Sequence, residues 1–216
     1  MHTSHNKFNS TLYDRSISDI TRWLLTDVKR IRKHNDVPLI VPLTVTFKVG
    51  SIQTSQCLGQ FEHFYHLMCR KLVNNIDRRN KQHLYPLAIA FVDNPSTRYK
   101  SDKPKLFGTH PSVAPHVHSV MIIHPSIKRK FLERYRELEE LWQDMNPRHG
   151  TIKISVSEML YYNRLIENYA GNEDEIESKL KGWIGYSGKL QTRFDRPDCD
   201  LFTILPPSGK NRFDRF

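Results

Sequence analysis

Cysteine is scarce in this chain of 216 residues. Cys57, Cys69 and Cys199 are too few and too scattered for a disulfide framework or a cysteine-rich zinc site. That usage fits reduced thiols and a cytoplasmic setting. Long apolar runs are missing as well: no stretch approaches the roughly 18 to 20 residues of a membrane span. The opening "MHTSHNKFNSTLYDRS" lacks the charged-then-apolar layout of a signal peptide, so a soluble protein without a membrane partner is expected. No GxxxxGK[ST] phosphate loop of a helicase is present, and no internal repeat divides the chain. Acidic residues are in deficit, 23 Asp and Glu against 33 Lys and Arg, for a formal charge of +10. Such a balance favours a polyanionic partner, because each phosphate neutralised by Lys or Arg releases a condensed counterion. Nucleic acid leads, and a membrane surface is the weaker option.

The chain is long enough to bury one substantial core. Residues 16–33 place Ile17, Ile20, Trp23, Leu24, Val28 and Ile31 near a 3.6-residue period, with Ser16 as cap, which predicts an amphipathic helix with a basic outer face. A β-branched run over 43–49, bounded by Gly50, predicts a central strand. Helical spacing returns over 55–79 through Leu58, Phe61, Phe64, Tyr65, Met68 and Leu72, and "YPLAIAFVD" reads as the next strand. Residues 94–115 hold four prolines and several basic residues, the mark of a long irregular loop. "HVHSVMIIH" then predicts a third strand, 125–145 a charged amphipathic helix, and "GTIKISVS" a fourth strand. The order β, α, β, β, α, β predicts an α+β fold of ferredoxin-like, split-βαβ plan, an antiparallel sheet with helices on one face. Further helical sequence and one short strand near "DLFTIL" follow.

Two histidines, His116 and His118, head the third strand. About 0.6 His-x-His pairs are expected by chance from 11 histidines in 216 residues, so context decides their meaning. In a strand, residues i and i+2 point to the same face, and both imidazoles therefore project side by side, as two ligands of one cation would. The competing interpretation is a pair of packed or surface histidines.

"PLTVTF", "PHVHSVMI" and "YSGK", in that order, resemble the three motifs of the HUH endonucleases, of the rolling-circle replication initiator (Rep) type. The resemblance spans about residues 43 to 190. It implies an HUH-like nuclease domain over 41–205, preceded by an N-terminal helical extension, 1–40, and followed by a basic C-terminal tail, 206–216. Tyr186 would be the nucleophile and Lys189, one helical turn on, would steady the phosphate. His116 and His118 would hold a divalent metal, Mg2+ or Mn2+. In that family the third ligand is commonly an acidic or polar residue on the strand beside the two histidines, a place that Asp93 fits. Glu62, His63, His66, His110 and His124 are lesser candidates. The implied activity is site-specific single-strand nicking and joining of single-stranded or extruded origin DNA through a 5′-phosphotyrosyl intermediate, with a host helicase as a further partner.

Two features depart from that pattern. Gly182, Gly185 and Gly188 surround Tyr186, and since each glycine costs about 1 kcal/mol in a helix interior, the helix carrying the nucleophile is expected to be short, kinked or mobile. Tyr161, Tyr162 and Tyr169 lie on the better helix "SEMLYYNRLIENYA" and are alternative nucleophiles. DNA contacts are expected from Arg98, Lys100, Lys103 and Lys105, from the Lys128 to Lys130 cluster and from the basic face of the first helix, with Tyr99 or Phe107 stacking on a base. A relaxase or transposase of the same superfamily would share the chemistry. A non-catalytic nucleic-acid-binding module would not, and a hydrolase using activated water would cut without an adduct.

Overall fold

A computed structural model describes residues 4–32, 37–48, 54–74, 79–93, 115–145, 149–187 and 202–206. The elements run α1 (Ser4–Arg32), β1 (Leu39–Phe47), α2 (Thr54–Leu72), a 3-10 turn (Arg79–Leu84), β2 (Leu87–Asp93), β3 (His116–Ile123), α3 (Pro125–Met145), β4 (His149–Ile154), α4 (Val156–Glu167), α5 (Tyr169–Ser187) and β5 (Phe202–Leu205). The strands form one sheet in the order β4-β1-β3-β2-β5, antiparallel at every pairing. The protein is therefore α+β. No helix among the described residues is long and apolar enough to cross a membrane.

Alternation along the strands feeds two cores. Leu39, Val41, Leu43 and Val45 of β1 join Val117, Met121 and Ile123 of β3 beneath α2 and α3, which contribute Phe61, Phe64, Met68, Phe131 and Trp142. Phe47, Phe64 and Trp142 meet edge to face there, at centroid separations of 5.4 and 5.6 Å. On the other face, Ile40, Ile89, Phe91, Val120 and Ile122 pack against Leu24 and Val28 of α1, Tyr162 and Ile166 of α4, and Ile176, Leu180 and Ile184 of α5. Helices thus cover both faces, not the one face expected. The reason is that α1, α4 and α5 each carry an apolar stripe, and the second face of the sheet is the surface available to bury them. Burial on both faces also explains why β3 reads as a nearly continuous apolar run.

Several boundaries move from their sequence expectations. The first helix begins at Ser4, so Ser16 lies inside it, not at its cap. From Ile17 to Ile31 its apolar stripe packs into the second core. The first strand begins at Leu39, ahead of Pro42. A proline is tolerated there because a strand residue turns its N and its C=O to the same side. The Pro42 carbonyl accepts from Ser155 N at 3.0 Å, just where β4 ends, so the missing N–H takes no bond from the β1–β3 ladder. The fourth strand stops at Ile154 and α4 starts two residues later. α5 runs continuously over 19 residues through Gly182 and Gly185, where a short or kinked helix was expected. Packing of Ile176, Leu180 and Ile184 against the sheet outweighs the glycine cost.

Candidate functional site

The sheet positions the two histidines. On β3, His116 stands opposite Thr46 of β1 and Asp93 of β2, and His118 stands opposite Thr44 and Phe91. The start of β3 is pinned by Phe47 N, which donates to Pro115 O at 3.1 Å. The His116 and His118 rings are 4.7 Å apart and nearly perpendicular. His116 is half-buried, whereas His118 is only 9% exposed.

Thr44 Oγ1 lies 3.0 Å from His118 Nδ1. With the hydroxyl accepting, Nδ1 carries the proton and Nε2 presents its lone pair, the arrangement in which an outer hydrogen bond fixes the tautomer of a ligating or catalytic imidazole. Next to it, Thr46 Oγ1 bonds Thr151 Oγ1 at 2.8 Å and accepts from Thr151 N at 3.0 Å. Those bonds bridge the register shift between Val45 and Phe47, where β1 departs from regular pairing with β4.

α5 brings the aromatic residues over this strand. Trp183 and Tyr186, three residues apart and so on one helix face, both meet His118 edge-on, at centroid separations of 5.9 and 5.6 Å. Tyr186 is 50% exposed and lines the mouth of a cleft. A cleft of about 490 Å³ opens here, lined by Thr44, His118, Glu158, Lys179, Gly182 and Tyr186 among others. Its volume is that of a small-molecule or single-nucleotide site.

The alternative tyrosines are placed differently. Tyr161 donates its hydroxyl to Glu175, and that bond raises its pKa above the ordinary phenol value. Tyr162 reaches the cleft wall, but burial drives its pKa far up. Burial, aided by Glu173, also raises Tyr169. Each is harder to ionise than an ordinary tyrosine, which disfavours it as a nucleophile.

Chemically, two imidazoles on neighbouring same-face positions, one of them hydrogen-bonded through Nδ1 to Thr44, suit two donors to a divalent cation. Among the described residues no group of three His, Cys, Asp or Glu side chains converges to hold a metal. The ladder puts position 93 opposite His116, and the Asp93 side chain lies outside the described residues. Sequence reasoning missed Thr44, Glu158 and Trp183. Thr44 was legible in principle from strand register, since "LTVTF" alternates threonines toward one face; Glu158 and Trp183 carried no signal.

Other expected residues are not brought to the cleft. Arg98, Lys100, Lys103, Lys105, Lys189, Tyr99, Phe107 and His110 lie outside the described residues. Lys128 follows the far end of β3, where its ammonium donates to Asn163 of α4 at 2.6 Å, and burial lowers its pKa. It is removed from the two histidines by most of the strand. Glu62 accepts from Thr203 at 2.7 Å on the α2 side, and His124 stands against His83 at 5.6 Å beyond the end of β3. No family model, curated protein or solved structure matches this chain.

Proposed function

We propose that this protein is an HUH-type endonuclease that nicks and rejoins one strand of DNA through a phosphotyrosyl intermediate, acting as a cytoplasmic rolling-circle replication initiator. The observation that carries this reading is the seating of the Tyr186 ring against His118, with His116 beside it on the same strand. Tyr186 and the two histidines are 68 residues apart or more in sequence, and the ordered motifs alone do not require them to meet. The order β4-β1-β3-β2 supports a split-βαβ, ferredoxin-like core to which α1, α4, α5 and β5 are added.

In this mechanism the DNA strand enters the cleft with its scissile phosphate beside the Tyr186 hydroxyl and the histidine pair. Tyr186 Oη attacks phosphorus, giving up its proton to water as the Oη–P bond forms. The P–O3′ bond breaks, and the departing 3′ oxygen takes up a proton from water as a free hydroxyl. The 5′-phosphotyrosine keeps the bond energy for rejoining. His116 and His118 would hold a divalent cation, Mg2+ or Mn2+, which when bound supplies charge stabilisation at the phosphate; Asp93 is the third ligand of this reading. Thr44 orients His118. Lys179, exposed on the cleft wall, would contact a DNA phosphate. Lys189 would steady the scissile group in the same reading. Single-stranded or extruded origin DNA is the substrate, and a host helicase is the partner that would unwind beyond the nick.

The test is an electrophoretic assay with a panel of single-stranded oligonucleotides and Mg2+ or Mn2+. A denaturation-resistant shift, located by mass spectrometry on Tyr186, is expected; Tyr186→Phe should abolish it while leaving the fold intact. An adduct on Tyr161 or Tyr162 would refute the site and keep the activity. Cleavage with no adduct would favour a hydrolase. The near-complete burial of His118 favours a second reading, a non-catalytic nucleic-acid-binding module in which that histidine is structural. In that case binding occurs without cleavage under any metal.

A further inference from the structure

A second basic site lies at the other end of the sheet. After β3 ends at Ile123, α3 carries Lys130 and, one turn on, Arg134. Lys130 Nζ donates to Asn74 Oδ1 at 3.1 Å, and Lys81 Nζ donates to the Asn74 carbonyl at 2.7 Å. Two ammonium groups from separate segments thus converge on one neutral residue, with a guanidinium beside them. Among the described residues no carboxylate forms an ion pair with any of the three. Burial lowers the Lys130 pKa, and Arg134 and Lys81 lower it further. Like charges held together cost free energy in the free protein, and an arriving anion relieves that cost. Lys128, two residues before Lys130, is occupied elsewhere by Asn163, so the structure divides a cluster that looks uniform in the sequence.

We propose that Lys81, Lys130 and Arg134 form a phosphate-binding patch that grips the backbone of duplex DNA flanking the nicked strand. The choice of DNA rests on the nuclease reading above. His118 lies near the start of β3, and Lys130 lies seven residues past its end on α3, which covers the sheet face opposite to α5 and the cleft. A DNA whose unpaired segment occupies the cleft would reach the patch by carrying its paired flank round the end of the sheet. Asn74 acts as the positioning residue, because it draws both ammonium groups to one spot without neutralising them.

The experiment measures binding of a fluorescent random-sequence duplex by anisotropy across a salt series, with no divalent metal. Lys130→Glu should flatten the slope of log K against log salt by about 0.9, the value for one lost phosphate contact, and Lys81→Glu with Lys130→Glu by about twice that. Lys130→Arg should restore the wild-type slope. Arg164→Glu, an equal charge change on the exposed outer face of α4, should leave the slope unchanged. Equal losses in Lys130→Glu and Arg164→Glu would overturn the patch, as would displacement of the duplex by millimolar inorganic phosphate, which would mark a small-anion site. Circular dichroism guards against misfolding, and Lys130→Gln offers a milder variant with the same expected direction. Adduct formation on a short single strand is read separately: duplex binding that responds to Lys130 without any adduct would retain the patch and discard the nuclease, while an adduct with a flat response to Lys130 would do the reverse.

Discussion

Three glycines allow the packing around the cleft to be tested through stability alone. A Cβ built on Gly182 meets no atom within 4 Å. Gly182 lies inside α5, where alanine is favoured over glycine by roughly 0.8 to 1 kcal/mol through backbone entropy. For a chain of this length that gain should raise the melting temperature by about 2 to 4 °C. Gly185 differs because its Cβ would stand 3.4 Å from Ile17 Cδ1 on α1, so Gly185→Ala should stabilise less, the ring of contact shifting by the free end of a flexible side chain. Gly150 is the opposite case. Its Cβ would fall 2.4 Å from Thr46 O and 2.8 Å from Thr46 C, backbone atoms fixed beside the register shift. Gly150→Ala should therefore cost about 1 to 3 kcal/mol, the range for overpacking. Thermal and urea denaturation of the three variants should give the order Gly182→Ala, Gly185→Ala, wild type, Gly150→Ala. Because Gly182 also lines the cleft, Gly182→Leu should lose adduct formation while keeping at least wild-type stability. A destabilised Gly182→Ala, or a neutral Gly150→Ala, would refute the placement of α5 or of the β1–β4 shift.

Further predictions concern the site and the core. Thr44→Val removes the hydroxyl that holds His118 Nδ1 and should slow adduct formation about 10- to 100-fold, with a smaller effect on salt-sensitive DNA binding. His116→Ala or His118→Ala should abolish cleavage, and chelation of divalent metal should do the same to the wild type; full cleavage by the double mutant would remove the metal-site reading. Burial pushes the Cys57 thiol up to about 12. A group whose pKa is raised on folding contributes stability below its unfolded pKa and loses it as pH rises through the folded value. Stability should accordingly fall between about pH 9 and 12, and Cys57→Ala should flatten that fall in urea titrations followed by fluorescence.

How much of this was legible in the sequence follows from what is local. A period of two put His116 and His118 on one face, and a period of 3.6 marked α3 over the residues it occupies, because strand and helix geometry act over neighbouring residues. The succession of strands and helices was legible for the same reason, and the excess of basic residues is read directly from the sequence. The covering of the second sheet face was not: an apolar stripe says that a helix must bury one side, never which side of which sheet receives it. Nor was the meeting of Tyr186, Trp183 and Thr44 at His118, which depends on strand register and on α5 crossing β3. Lys128 and Lys130 look alike along the chain, yet the angular step of two residues on a helix sends one toward Asn163 and the other toward Asn74, Lys81 and Arg134. Sequence by itself decided which residue types could carry charge and chemistry; the tertiary structure decided which of them share a space, because contact is set by the packing of distant segments on both faces of one sheet.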